Sequence, residues 1–191
     1  IKENVSGALL NLAYDSDNTK KIAVAGAIPP LVQLLDHSSD AVKEKAVESL
    51  WNLAVDVGNK KKIAAAGAIP PLVQLLGQSS HTIKEKAAGA LWNLAVDVGN
   101  KKKIAAAGAI SPLVQLLCHS SNAIREKAAG ALWNLAVDAN NRKKITIAGA
   151  IPPLVQLLDH SSDAVKEKAA GALWNLAVDA DNRKKIAAEG A

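Results

Sequence analysis

The stretch from Ala66 to Asp97, AGAIPPLVQLLGQSSHTIKEKAAGALWNLAVD, decides the fold. Its parts return at one fixed interval. LWNLAVD starts at Leu50, Leu91, Leu132 and Leu173, always 41 residues apart, and LLNLAYD at Leu9 is a diverged fifth copy. AGAI, then Pro or Ser, then PLVQLL starts at Ala25, Ala66, Ala107 and Ala148 with the same step, so no insertion breaks the register. Four complete units follow, 15–55, 56–96, 97–137 and 138–178, flanked by partial units at 1–14 and 179–191. Helical units at a period near 40 imply a solenoid, in which no unit buries its apolar surface alone.

Punctuation divides each unit into three helices. In the second unit a short helix from Asn59 to Ala66 is closed by Gly67, which adopts left-handed backbone without strain. Pro70 and Pro71 open the second helix, where a missing N–H costs nothing, and Leu72, Val73, Leu75 and Leu76 give it a buried stripe. Ser79 and Ser80 break the chain and offer cap oxygens. A third helix from about His81 to Val96 carries Ile83, Ala87, Ala88, Leu91, Leu94 and Ala95 at helical spacing. At the ends, 1–14 is expected to hold a third helix only and 179–191 a first helix only.

Composition agrees with an all-α class. The 191 residues are 49% hydrophobic but 3% aromatic, with no Phe or Met, so the core is Ala, Leu, Ile and Val. Cys118 is the single cysteine and cannot form an intramolecular disulfide. No stretch resembles a signal peptide or an apolar run of about 18 residues. These features lead to the expectation of a soluble, cytoplasmic or nuclear protein, with no membrane partner. Because both ends fall inside a unit, an excised piece of a longer array is expected.

Gly-Ala-Ile-Pro-Pro-Leu-Val-Gln-Leu-Leu, a Ser-rich break, Ala-Leu-Trp-Asn-Leu-Ala and Asn-x-Lys-Lys-Ile-Ala together resemble the armadillo repeat family over essentially the whole chain. The resemblance implies a right-handed superhelical solenoid with three helices per 41-residue repeat, third helices lining a concave groove. It also implies a non-enzymatic scaffold that binds extended peptide segments of partner proteins. An Asn ladder on the third helices would hold the peptide backbone, and here it falls on Asn11, Asn52, Asn93, Asn134 and Asn175. A primary amide has one acceptor and two donors, the complement of a peptide group. The other reading is that each amide bonds a neighbouring helix.

Import receptors of this family carry a Trp four residues before the ladder Asn. This chain has Gly7, Glu48, Gly89, Gly130 and Gly171 there, and its tryptophans stand one residue before the Asn, at Trp51, Trp92, Trp133 and Trp174. That position lies about 100° from the Asn around the helix. Since helical side chains lean toward the N-terminus, Trp92 is expected to lie back over the turn of Gly89, and Glu48 to obstruct the same arrangement for Trp51. The tryptophans then form side-chain pockets or simply pack the seam between units.

Helices packed about 8 to 10 Å apart and an extended chain rising about 3.3 Å per residue give two to three ligand residues per unit. Seven and eight residues before the ladder Asn stand Lys45, Lys86, Lys127 and Lys168 beside Glu44, Glu85, Glu126 and Glu167. They select partner charge or form a solvated face, and their signs cancel.

Net charge +5 comes largely from Lys60 to Lys62, Lys101 to Lys103, Arg142 to Lys144 and Arg183 to Lys185, a basic stripe along the first helices. No aromatic side chain stands in these clusters to stack bases, which disfavours nucleic acid as a partner. His37, His119 and His160 occupy the same break in different units, about 10 Å apart between neighbours, too far to share a metal. Cys118 beside His119 lacks a third, orienting group, and no phosphate-binding loop occurs, so no catalytic residue, metal or cofactor is expected. Two further readings remain open: head-to-tail self-association through uncapped ends, and an engineered consensus scaffold. Scattered differences at Gln78, His81, Ser111, Cys118 and Thr146 fit duplication with drift better than design.

Overall fold

The computed structural model describes residues 7, 16–78 and 80–190. Among them are 13 α-helices, and they repeat in triads. First helices are α1 (Ser16–Val24), α4 (Val57–Ala65), α7 (Val98–Ala106), α10 (Ala139–Ile147) and α13 (Ala180–Ala188). Second helices are α2 (Ile28–Leu34), α5 (Ile69–Leu75), α8 (Ile110–Leu116) and α11 (Ile151–Gln156), the last followed by a 3₁₀ turn at Leu157–Asp159. Third helices are α3 (Asp40–Leu53), α6 (His81–Leu94), α9 (Asn122–Leu135) and α12 (Asp163–Leu176). The third helix expected over 1–14, with Asn11, lies outside the described residues, apart from Gly7. No described helix is long and apolar enough to cross a membrane.

Local chemistry sets these boundaries. Gly67 closes the first helix of its unit at φ +82°, and Gly26, Gly108, Gly149 and Gly190 repeat that left-handed turn. First helices start two residues earlier than the apolar pattern suggests, because Asp56 and Asp97 accept the backbone N–H of Asn59 (2.9 Å) and Asn100 (3.0 Å). A carboxylate there also faces the positive end of the helix dipole. Ser80 and Ser121 cap α6 and α9 through Ile83 and Ile124 N–H. Third helices end at Leu94 and its equivalents rather than at Val96, which is exposed.

Each third helix packs most extensively on the third helix of the next unit, while first helices touch one another far less. Layers that are thinner on one side curve toward it, so the third helices line the inside of the array. Their closeness rests on small side chains: Ala87, Ala88, Gly89 and Ala90 are all buried, around Leu50, Leu91 and Leu132 at 0% exposure.

A second file of amides ties the outer helices together. Asn59, Asn100 and Asn141 are buried, and their Nδ2 groups donate to Thr19 O (3.1 Å), Lys60 O (3.2 Å) and Lys101 O (3.4 Å) of the preceding unit. Asn182 departs from the pattern because Thr146 donates to its Oδ1 (2.9 Å) and its Nδ2 turns to Leu176 O (3.0 Å).

Candidate functional site

The 41-residue step and the parallel stack of third helices set Asn52, Asn93, Asn134 and Asn175 in file, all half-exposed. Each amide already does one structural task. Asn93 Nδ2 donates to Trp51 O (3.3 Å), Asn134 Nδ2 to Trp92 O (3.1 Å) and Asn175 Nδ2 to Trp133 O (3.0 Å), across the junction to the preceding unit. Asn52 Nδ2 is buried and has no hydrogen-bond partner among the described residues. For Asn93, Asn134 and Asn175 one N–H of the amide is thus engaged, while no described group donates to Oδ1. The two readings of the ladder are not exclusive: the amide that clamps two units retains an acceptor on the inner face.

Tryptophan placement corrects the expectation. Trp92 does not lie over Gly89 of its own helix; it reaches across to the next unit. A Cβ on Gly89 would stand 2.7 Å from Trp51 Cε2, one on Gly130 2.7 Å from Trp92 Cε2, and one on Gly171 2.5 Å from Trp133 Cδ2. The physical reason is direction. A position about 100° from the Asn points toward the adjacent helix, so the backward lean brings the ring level with the neighbour's Gly. For the same reason Glu48 does not obstruct Trp51, whose seat is Gly89. Trp51, Trp92 and Trp133 are half-buried at these junctions, whereas Trp174 is 79% exposed.

The charged rows are also organised by this seat. Lys127 stands one turn before Gly130, so its stem runs toward the indole that Gly130 receives. Its ammonium lies 5.3 Å from the Trp92 ring centre and 5.7 Å from that of Trp51. Lys168, one turn before Gly171, lies 5.4 Å from Trp92 and 5.6 Å from Trp133. Each is also paired with its neighbouring carboxylate, Lys127 with Glu126 at 3.0 Å and Lys168 with Glu167 at 2.6 Å.

Lys86 behaves differently because Glu48 occupies the place of a glycine. It pairs with Glu44 at 3.2 Å and with Glu48. Burial works against its charge, but the hydrogen bonds and charges of Glu48 and Glu44 outweigh that and raise its pKa. Lys45 and Glu85 are half-buried, and Glu85 makes no ion pair among the described residues.

The expected basic stripe is narrower than the sequence suggests. Lys60 and Lys101, first in their clusters, are buried. Lys60 Nζ donates to Val55 O at 2.7 Å, and Arg142 and Arg183 donate to the matching carbonyls Val137 O (3.2 Å) and Val178 O (3.0 Å). These cations satisfy open carbonyls at the ends of α3, α9 and α12. Burial lowers the Lys60 pKa, with Asp56 and Asp97 acting against it. Arg142 Nε further binds Asp179 at 3.1 Å, so in the first three clusters the exposed stripe is carried by the second and third members, while Arg183 of the last cluster is itself exposed.

His119 meets an unexpected partner, His81, edge to face with ring centres 4.8 Å apart. The sequence hint was present, since His81 begins the third helix in the unit just before. Among the described residues no three His, Cys, Asp or Glu side chains gather as a metal site, and Cys118 is an exposed free thiol.

The family model described as Armadillo/beta-catenin-like repeat matches residues 15–55, 56–96, 97–137 and 138–178. Among solved structures, a designed armadillo repeat protein superposes at TM-score 0.92 with 34% identity, over 98% of this chain and 81% of that one. Another, in complex with peptide (KR)4, gives TM-score 0.90 at 34% identity, covering 98% and 80% of the two chains. Computationally designed armadillo repeat proteins for modular peptide recognition give 0.91 at 34% identity, covering 96% and 79%. No curated protein matches the chain. The fold is therefore an all-α, right-handed superhelical solenoid with three helices per repeat of about 41 residues.

Proposed function

The chain belongs to the armadillo repeat family, and on that premise we propose that it is a non-enzymatic scaffold whose inner row of third helices holds an extended segment of a partner protein. One observation carries this reading: Asn93, Asn134 and Asn175 stand half-exposed at one register, each with Oδ1 and one N–H unengaged among the described residues. An acceptor repeated at each unit is what a peptide N–H needs, whatever the ligand's side chains. Asn52 extends the same file, and Asn11 is its counterpart 41 residues earlier in the sequence. The half-buried indoles of Trp51, Trp92 and Trp133, with the exposed indole of Trp174, supply the pockets between amides. Charged neighbours Glu44, Glu85, Glu126 and Glu167 with Lys45, Lys86, Lys127 and Lys168 tune which side chains enter. Designed relatives of this fold that take peptide ligands support the reading.

The test is a peptide-library selection on the wild type, followed by titration of the best binder against the Asn93→Ala, Asn134→Ala double variant. Each backbone contact is worth about 1 kcal/mol net, so losing two weakens binding by roughly tenfold to thirtyfold. Because both amides also clamp units together, helical circular dichroism and the unfolding midpoint are measured on the same samples. Unchanged affinity in a folded double variant would refute the ladder.

A further inference from the structure

Three indoles and two ammonium groups alternate along the inner face: Trp51, Lys127, Trp92, Lys168, Trp133. Each ammonium has a ring on either side and a carboxylate beside it, Glu126 or Glu167. Two electron-rich faces and an anion make a complete pocket for a cation. Here both pockets are filled from within. The Lys127 and Lys168 side chains are only 15% and 14% exposed, so their stems cover the indoles as well as placing the charge.

We propose that Lys127 and Lys168 are built-in occupants of two cation pockets, and that the groove therefore excludes Lys and Arg side chains of a bound segment at these two stations. The proposal rests on the peptide-binding reading above and deepens it by naming what the groove rejects. Exchange explains the exclusion. An incoming cation that displaces Lys127 recovers the same rings and the same carboxylate that Lys127 loses, so like replaces like and the pocket gains nothing. Lys127 is also tethered one turn from Gly130, so its positioning entropy is already spent, which a free ligand must still lose. A cation that enters without displacing it meets a like charge beside the ring. Lys86 marks the limit of the device: Glu44 and Glu48 hold it.

The peptide (KR)4, which a designed relative binds, is the probe. It is titrated by calorimetry against the wild type, the Lys127→Ala, Lys168→Ala variant and the Lys127→Gln, Lys168→Gln variant, the last keeping the stems while removing the charges. Emptying two cation–indole pockets is expected to tighten (KR)4 binding by about tenfold or more, and adding Trp92→Ala to either variant to cancel the gain. Equal affinity of (KR)4 for the wild type and both folded variants would overturn the exclusion.

A readout without peptide separates the internal occupancy of the pockets from peptide binding. In the free protein the ε-methylene protons of Lys127 and Lys168 should be shifted upfield by the rings, relative to Lys86, and Trp92→Ala should remove most of the shift. Absence of the shift overturns the internal occupancy whatever the peptide does. Shifts present with no peptide of any charge bound by any form overturn the peptide-binding reading, and the exclusion with it.

Discussion

Gly130 has no side chain because Trp92 stands where one would be. A glycine inside a helix costs about 0.5 to 1 kcal/mol relative to alanine, so on propensity alone Gly130→Ala should stabilise. A methyl carbon 2.7 Å from Cε2 of a seated indole is overpacking, which costs about 1 to 3 kcal/mol. The second effect is larger. We expect Gly130→Ala to destabilise by about 1 kcal/mol in urea unfolding, and the cost to disappear in a Trp92→Ala background, as a double-mutant cycle would show. An alanine that left the protein equally or more stable would mean that the ring is not held on Gly130. Asparagine teaches the same lesson of context. Asn100 and Asn134 both donate to a carbonyl of the preceding unit, yet Asn100 is 2% exposed and sealed, whereas Asn134 keeps an acceptor on an open face. Recurrence every 41 residues marks both files equally; only solvent access tells the clamp from the candidate contact.

Helices and breaks show where the local pattern sufficed. In the second unit the prolines, the closing glycine and the apolar stripes placed the three helices to within about two residues. What they missed was capping from outside the helix: Asp56 and Asp97 start first helices early, and Lys60, Arg142 and Arg183 fold back to close third helices. The break before α9 adds a pH-sensitive joint. His119 Nδ1 accepts the Ser121 N–H at 3.0 Å, which the neutral ring permits and the protonated ring does not. Burial foremost, then the charges of His81, Lys84 and Arg125, lowers its pKa below the usual 6.5. The unfolded chain therefore binds a proton more readily than the folded one. The contribution is complete above about pH 6.5 and is lost as pH falls through the lowered folded-state value. Thermal midpoints at about pH 7.5 and about pH 5.5 should fall less for His119→Gln than for the wild type, and equal falls would contradict the assignment.

At the scale of the molecule, stability is a sum of junctions between units, and the last described third helix has an open one. Trp174 is 79% exposed beside a shallow apolar depression of about 240 Å³ lined by Leu158, Leu173, Ala177 and Ile186. At internal junctions the equivalent surface is covered by the next unit. By itself the sequence determined the class, the 41-residue period, the three helices of a unit and the files of Asn, Trp, Lys and Glu, because each follows from spacing along one chain. Only the tertiary structure decided that each indole sits on the next unit's glycine, that Lys127 and Lys168 lie between indoles, and that His119 meets His81. A helical position specifies an angle about its own axis, and which neighbour lies in that direction is set by how the units stack.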